Sequence, residues 1–138
     1  MSEVAGTLIN PDPPAFLGAV SGQPRVWLRL EAAAILTLAV AAYAAGGHLW
    51  MWFAILFFIP DVTFFGYFAG PRIGSVCYNI AHSYVMPVAI GAILHVLGKS
   101  LAIPLIWIAH VGFDRLLGYG LKYGSGFGDT HLGRMGRR

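Results

Sequence analysis

"AAAILTLAVAAYAAGGHLWMWFAILFFIPDVTFFGYFAGPR", residues 32–72, holds one acid, Asp61, and no base before Arg72. A bilayer span takes about 20 mostly apolar residues. The stretch contains most of two such runs, 26–45 and 49–69, separated only by Gly46, Gly47 and His48. A connection that short makes the two runs antiparallel neighbours. Trp50 and Trp52 open the second run, where amphipathic rings suit the headgroup boundary. Gly70, Pro71 and Arg72 form the next turn, and two further runs follow, 73–97 and 101–122, with Gly98, Lys99 and Ser100 between them. The pattern predicts an all-α fold, an up-down four-helix transmembrane bundle over residues 26–122. Residues 1–25 carry prolines at 11, 13, 14 and 24 and read as an irregular cytosolic lead, with a short interfacial turn around residues 16–20. Residues 123–138 are rich in glycine and basic side chains and read as a cytosolic loop.

Composition supports the same class. The 138 residues suffice for one domain. Charged residues make up 11% and hydrophobic ones 57%, whereas a soluble domain is about a quarter charged. Water is therefore not the main solvent. The net charge of +3 raises nucleic acid as a partner, but the basic residues sit at the ends of apolar runs and not along one polar face. No nucleic-acid partner is expected; membrane lipids are. Arg25, Arg29, Arg72, Lys122, Arg134, Arg137 and Arg138 fall at one side of the bundle and only Lys99 at the other, so the positive-inside rule places both termini in the cytoplasm. The N-terminus lacks the basic opening and apolar core of a signal peptide. The single cysteine, Cys77, excludes an internal disulfide and a thiolate-rich metal site, and reads as a small buried residue.

The fourth run poses a problem of cost. "WIAHVGFDRLLGYGLKY", residues 107–123, puts His110, Asp114 and Arg115 on little more than one helical turn. A charge at bilayer depth costs roughly 2.5–3.5 kcal/mol even on the lenient insertion scale. At 1.5 Å of rise per residue, Asp61 and Asp114 lie roughly 12 Å from the cytoplasmic ends of their helices, His82 roughly 14 Å and His110 roughly 18 Å. Asn79 and Arg115 lie at roughly 10 Å, with Glu31 shallower. Three helices thus place polar groups in one layer. His110 and Asp114, four apart, share a face. Ser75, Tyr78, Asn79 and His82 form a stripe on the third helix, and Pro60 loosens the second helix beside Asp61. His48 and His95 fall outside the layer and read as surface residues.

Two carboxylates and two imidazoles converging from three helices form the inventory of a divalent metal site, with zinc, manganese or iron suited to the ligands. A cation would also remove the cost of burying Asp61 and Asp114. The expected ligands are Asp61, His82, His110 and Asp114, with His131 of the tail as a further candidate. In that reading Asp61, His82 and Asp114 carry the chemistry, Arg72, Arg115 and Lys122 hold an anionic headgroup, and Tyr78, Asn79 and Glu31 support the ligands. A structural alternative stands beside it: Asp61 or Asp114 pairs with Arg115, Glu31 with Arg29, and His82 is a hydrogen-bonded core residue.

The segments "IPDVTFFGY", "GPRIGSVCYNIAHSY", "WIAHVGFDRLLGYGLKY" and "GFGDTHLGR" resemble, in that order, domain-of-unknown-function family 4260, small bacterial membrane proteins. The resemblance implies a multi-pass protein of the bacterial cytoplasmic membrane and no particular activity. A looser resemblance is to the YdjM-like membrane-bound metal-dependent hydrolases. These carry Pro-Asp-x-Asp, then His-Arg-Gly-x-Thr-His-Ser, then His-x-x-x-Asp. Pro60-Asp61, His82-Ser83 and His110-x-x-x-Asp114 follow the same order, while Thr63 and Cys77 stand where that family has its second Asp and first His. The departures leave ligands for one metal.

The leading expectation is a membrane-embedded metal-dependent hydrolase acting on a lipid-like or phosphate-bearing substrate at the cytoplasmic leaflet. Two rivals are open: a non-catalytic subunit of a larger membrane complex, and a proton or ion transport component. A lone homo-oligomer fits the enzyme, and a stable stoichiometric partner fits the subunit. Against transport, the outer halves of the helices carry almost no polar groups.

Overall fold

The computed structural model describes residues 18–136. Residues 1–17, most of the expected irregular lead and part of its expected turn, lie outside the described residues, as do Arg137 and Arg138. The chain folds as α1 (Gly22–Ala45), α2 (Trp50–Leu56), a 3-10 helix (Ile59–Ala69), α3 (Pro71–Ala81), α4 (Val85–Val96), α5 (Ala102–Leu117) and a hairpin of β1 (Asp129–Thr130) and β2 (Gly133–Arg134). The expected all-α four-helix architecture is observed. Three continuous stretches, Gly22–Ala45, Trp50–Ala69 and Pro71–Val96, are long and apolar enough to cross a membrane, so the chain is membrane-associated.

Two of the four expected helices are not regular. Pro60 supplies no N–H to the helical ladder, and the chain after it tightens to three residues per turn. The Asp61 N–H bonds the Phe58 carbonyl at 3.1 Å, and the Thr63 hydroxyl donates to the Pro60 carbonyl at 2.7 Å. At this pitch, residues three apart eclipse, so Asp61, Phe64 and Tyr67 share one face. Such helices are usually short, and this one runs for 11 residues. Packing against α3 holds it: Gly66 rests on Cys77, and Gly74 lies under the Tyr67 ring.

The third helix breaks between α3 and α4. Pro87, if the helix were continuous, would drive its ring into the Ser83 carbonyl. The last α3 bond is His82 N–H to the Tyr78 carbonyl at 2.8 Å, and the Trp107 indole donates to the Ala81 carbonyl at 2.6 Å. The break therefore leaves no open carbonyl at Ala81.

The expected helix over 101–122 is also shorter. α5 has 16 residues, about 24 Å. Gly118, at φ 98°, turns left-handed and lets the Tyr119 N–H close on the Asp114 carbonyl at 2.8 Å. α5 packs on α1, α2 and α4, and α3 packs on the 3-10 helix. Small residues set the α1–α5 crossing: Ala32 and Ala39 against Ala109 and Gly112, all buried.

Residues 118–122, expected as the end of the fourth helix, and the glycine-rich stretch after them, expected as a loop, fold back under the bundle. Lys122 pairs with Thr130, the Val20 N–H bonds the His131 carbonyl at 2.8 Å, and the Tyr123 hydroxyl donates to the Gly18 carbonyl at 2.7 Å. Asn79 on α3 clamps it. Its amide donates to the Lys122 carbonyl at 2.8 Å and accepts from the Lys122 N–H at 2.7 Å. Asn79→Ala strands both backbone groups, at about 1–3 kcal/mol for each one left unsatisfied. The expected outcome is a less stable protein whose amide exchange accelerates first across residues 119–134. Unchanged exchange there would refute the clamp.

Candidate metal centre

Four side chains meet where three elements converge. Asp61 comes from the first turn of the 3-10 helix, His82 from the residue that ends α3, and His110 and Asp114 from one face of α5. The His82 and His110 Nε2 atoms are 3.2 Å apart. The Asp61 Oδ1 lies 3.3 Å from the first and 3.5 Å from the second, and the Asp114 Oδ2 3.6 and 3.7 Å. The four donor atoms all lie within 4.8 Å of one another, placed to hold a metal ion. Both imidazoles are buried, and the Asp61 side chain, 31% exposed, forms the open side.

The donor chemistry fits a cation. The His82 Nδ1 is 3.0 Å from the Tyr78 carbonyl, which can only accept. Its proton therefore sits on Nδ1, and its Nε2 presents a lone pair to the cluster. Facing it are another imidazole nitrogen and two carboxylate oxygens. Even with one proton on the His110 Nε2, three acceptors confront one another. Ligands about 2.0–2.1 Å from a tetrahedral zinc stand about 3.3–3.4 Å apart. Five of the six donor–donor separations here run from 3.2 to 3.7 Å.

Tyr78 supports the cluster in three ways. Its carbonyl fixes the His82 tautomer, its ring stacks on the His82 ring at 3.6 Å and 8°, and its hydroxyl donates to the Asp114 Oδ2 at 3.2 Å. Phe57 closes the His110 side, edge to face at 5.1 Å, and Phe64 stacks on Tyr78 at 5.4 Å.

The layer inferred from helix depth thus brings together Asp61, His82, His110 and Asp114, with Tyr78 behind them. The other expected residues stand elsewhere. Asn79 clamps the tail. Arg72 is exposed on the first turn of α3. Lys122 is buried, not open to a headgroup: its Nζ donates to the Phe127 carbonyl at 2.8 Å and lies 3.6 Å from the Phe127 ring centroid and 4.6 Å from that of Tyr78. Burial pulls its ammonium down to about 8, against the attraction of Asp114. His131 does not join the four; its Nδ1 accepts the Leu121 N–H at 2.8 Å. Glu31 and Arg115 line a separate cleft.

Of the structural alternative, His82 is indeed a buried, hydrogen-bonded residue, while the arginine pairings are not found. Among the described residues, Arg115 makes no ion pair with Asp61 or Asp114, and its guanidinium lies 4.6 Å over the Tyr84 ring. Arg29 donates through Nε to the Leu116 carbonyl at 2.7 Å, not to Glu31. Phe57, Phe64 and Trp107 escaped the sequence reading. The three-residue spacing of Asp61, Phe64 and Tyr67 after Pro60 was the available signal for the first aromatic layer.

A family model described as domain of unknown function DUF4260 matches residues 25–135. The chain belongs to this family. The matched range takes in all four donors, Tyr78 and the folded tail. No curated protein matches the chain, and no solved structure does.

Proposed function

We propose that Asp61, His82, His110 and Asp114 bind one divalent metal, and that the chain is a membrane-embedded hydrolase of a lipid-like or phosphate-bearing substrate. The observation that carries the reading is a set of four metal-type donor atoms, all within 4.8 Å of one another, with no guanidinium or ammonium in ion-pair contact among the described residues. Two imidazoles and this spacing favour zinc over manganese or iron. With a fifth position open on the Asp61 side, such an ion would polarise phosphoryl or carbonyl oxygens and lower the pKa of water towards neutrality.

The residues divide the work. Tyr78 holds His82 and Asp114 in place. The Phe57 ring packs on His110 and the Phe64 ring on Tyr78. Asp61, the most exposed of the four side chains, marks the side from which substrate enters. The excess of Lys and Arg at one end of the bundle supports a reading in which that opening faces the cytoplasmic leaflet and both termini lie inside.

Elemental analysis of protein purified in mild detergent tests the reading. About one equivalent of zinc per chain is expected, with chelation lowering the melting temperature. Hydrolysis of phosphodiester or phospholipid substrates in micelles should be lost on chelation and in Asp61→Asn. No metal above background, with no thermal gain from added zinc or manganese, overturns it.

A second reading, a non-catalytic membrane subunit with a structural metal, has its own support. Four protein donors fill a tetrahedral site, and Phe58, Val62, Phe65 and Phe68 of the second stretch face outward. Co-purification of a stoichiometric partner, with metal present and no turnover, would favour it.

A further inference from the structure

A second cleft, open to solvent at its mouth, lies where α1, Tyr84 and the end of α5 meet the folded tail. None of the four metal-type donors lines it. Leu28 and Ile35 of α1 form its apolar wall; Glu31, Tyr84, Arg115 and His131 are its polar groups. The Arg115 Nε and the Tyr84 hydroxyl are shut off from solvent and have no hydrogen-bond partner among the described residues. Buried donors without acceptors are costly, so these groups call for a ligand that accepts. His131 adds a third donor. Its Nδ1 already accepts the Leu121 N–H, so the neutral ring carries its proton on Nε2. Burial, and then the neighbouring Arg115, lower the His131 pKa and keep that ring neutral at pH 7.

The cleft is not purely an anion site, because the exposed Glu31 carboxylate shares it. Donors on one side and a carboxylate on the other match a zwitterion. Arg115 lies two residues from the end of α5, against the tail, which sets the cleft at the boundary between span and tail. We propose that it binds a phosphoethanolamine-type headgroup. The phosphate meets His131 and the Arg115 guanidinium, and reaches the Tyr84 hydroxyl and the Arg115 Nε as Arg115 swings off the Tyr84 ring; the ammonium meets Glu31, and the carbon chain runs along Leu28 and Ile35. This assignment is independent of the metal reading.

Binding to delipidated protein in detergent tests it, with phosphatidylethanolamine, phosphatidylglycerol, O-phosphoethanolamine and inorganic phosphate as probes. Phosphatidylethanolamine is expected to bind saturably and more tightly than phosphatidylglycerol or inorganic phosphate. Loss of a hydrogen bond to a charged group corresponds to about 10- to 100-fold in affinity, the loss expected for Arg115→Gln. Tyr84→Phe, which removes only a hydroxyl, should weaken binding in the same direction and serves where Arg115→Gln does not fold. Glu31→Gln should abolish the preference over phosphatidylglycerol. O-phosphoethanolamine binding as tightly as the lipid assigns the site to a free phospho-amine; binding of the lipid alone assigns it to the membrane. Chelator-treated protein should bind equally well, which separates this site from the metal centre. Equal affinity for the two lipids in the unaltered protein, or affinity untouched by both Arg115→Gln and Tyr84→Phe, overturns the proposal.

Discussion

His110→Ala is expected to strip the metal from the purified protein while leaving it folded. His110 supplies one of four donors, and without it Tyr78 continues to hold His82 and Asp114. Loss of a group that merely supports a metal ligand lowers affinity about 10–100-fold. Loss of the ligand itself should exceed that range, so that metal content falls to background after dialysis. Tyr78→Phe calibrates the argument. It removes only the hydroxyl on Asp114 and keeps the ring stack and the carbonyl on His82, so its loss should fall within the 10–100-fold range. A hydrogen-bonded network without metal predicts otherwise. There, His110→Ala costs stability through the vacated space, and added zinc shifts the melting temperature of neither protein. Retention of one equivalent of metal at unchanged affinity would show that the ion sits elsewhere.

The parts of this fold that were legible in the sequence are those set by solvent. Apolar runs broken by Gly-Gly-His, Gly-Pro-Arg and Gly-Lys-Ser mark the turns because a bilayer tolerates polar groups only at its edges. The four donors were legible for the same reason: acids and imidazoles inside apolar runs need a partner, and helix rise alone placed them at one depth. What depth cannot supply is direction. Arg115 differs from Asp114 by one residue, and whether it turns to the carboxylates or to Tyr84 depends on how α5 is rotated against α1. The 3-10 path through Asp61 depends on the approach of Gly66 and Gly74 to α3, a tertiary contact. The tail escaped because its order rests on single clamps, Asn79 on Lys122 and His131 on Leu121, between residues far apart or in a glycine-rich stretch that reads as loop.

Gly74→Ala should lower stability and metal affinity together, although a helix propensity scale says the reverse. In an exposed helix interior the change gains about 1 kcal/mol. At Gly74 the added Cβ would stand 2.4–2.6 Å from three carbons of the Tyr67 ring. The ring is no flexible tip that can swing aside; it packs edge-on against Phe127 at 5.2 Å. Overpacking a tight contact costs about 1–3 kcal/mol, sometimes more, and three contacts this short belong at the upper end. The net expectation is about 2 kcal/mol of destabilisation by unfolding in detergent. The effect on metal follows from the geometry of the 3-10 helix. Tyr67 shares a face with Asp61, so moving the ring shifts the helix that aims the Asp61 carboxylate at His82. The double variant Gly74→Ala, Tyr67→Ala removes the obstruction. It should be more stable than the sum of its parts by the 0.5–3 kcal/mol typical of contacting residues, and should regain part of the metal affinity. If Gly74→Ala alone proves neutral or stabilising, the 3-10 helix does not lie this close to α3, and the placement of Asp61 beside His82 loses its main support.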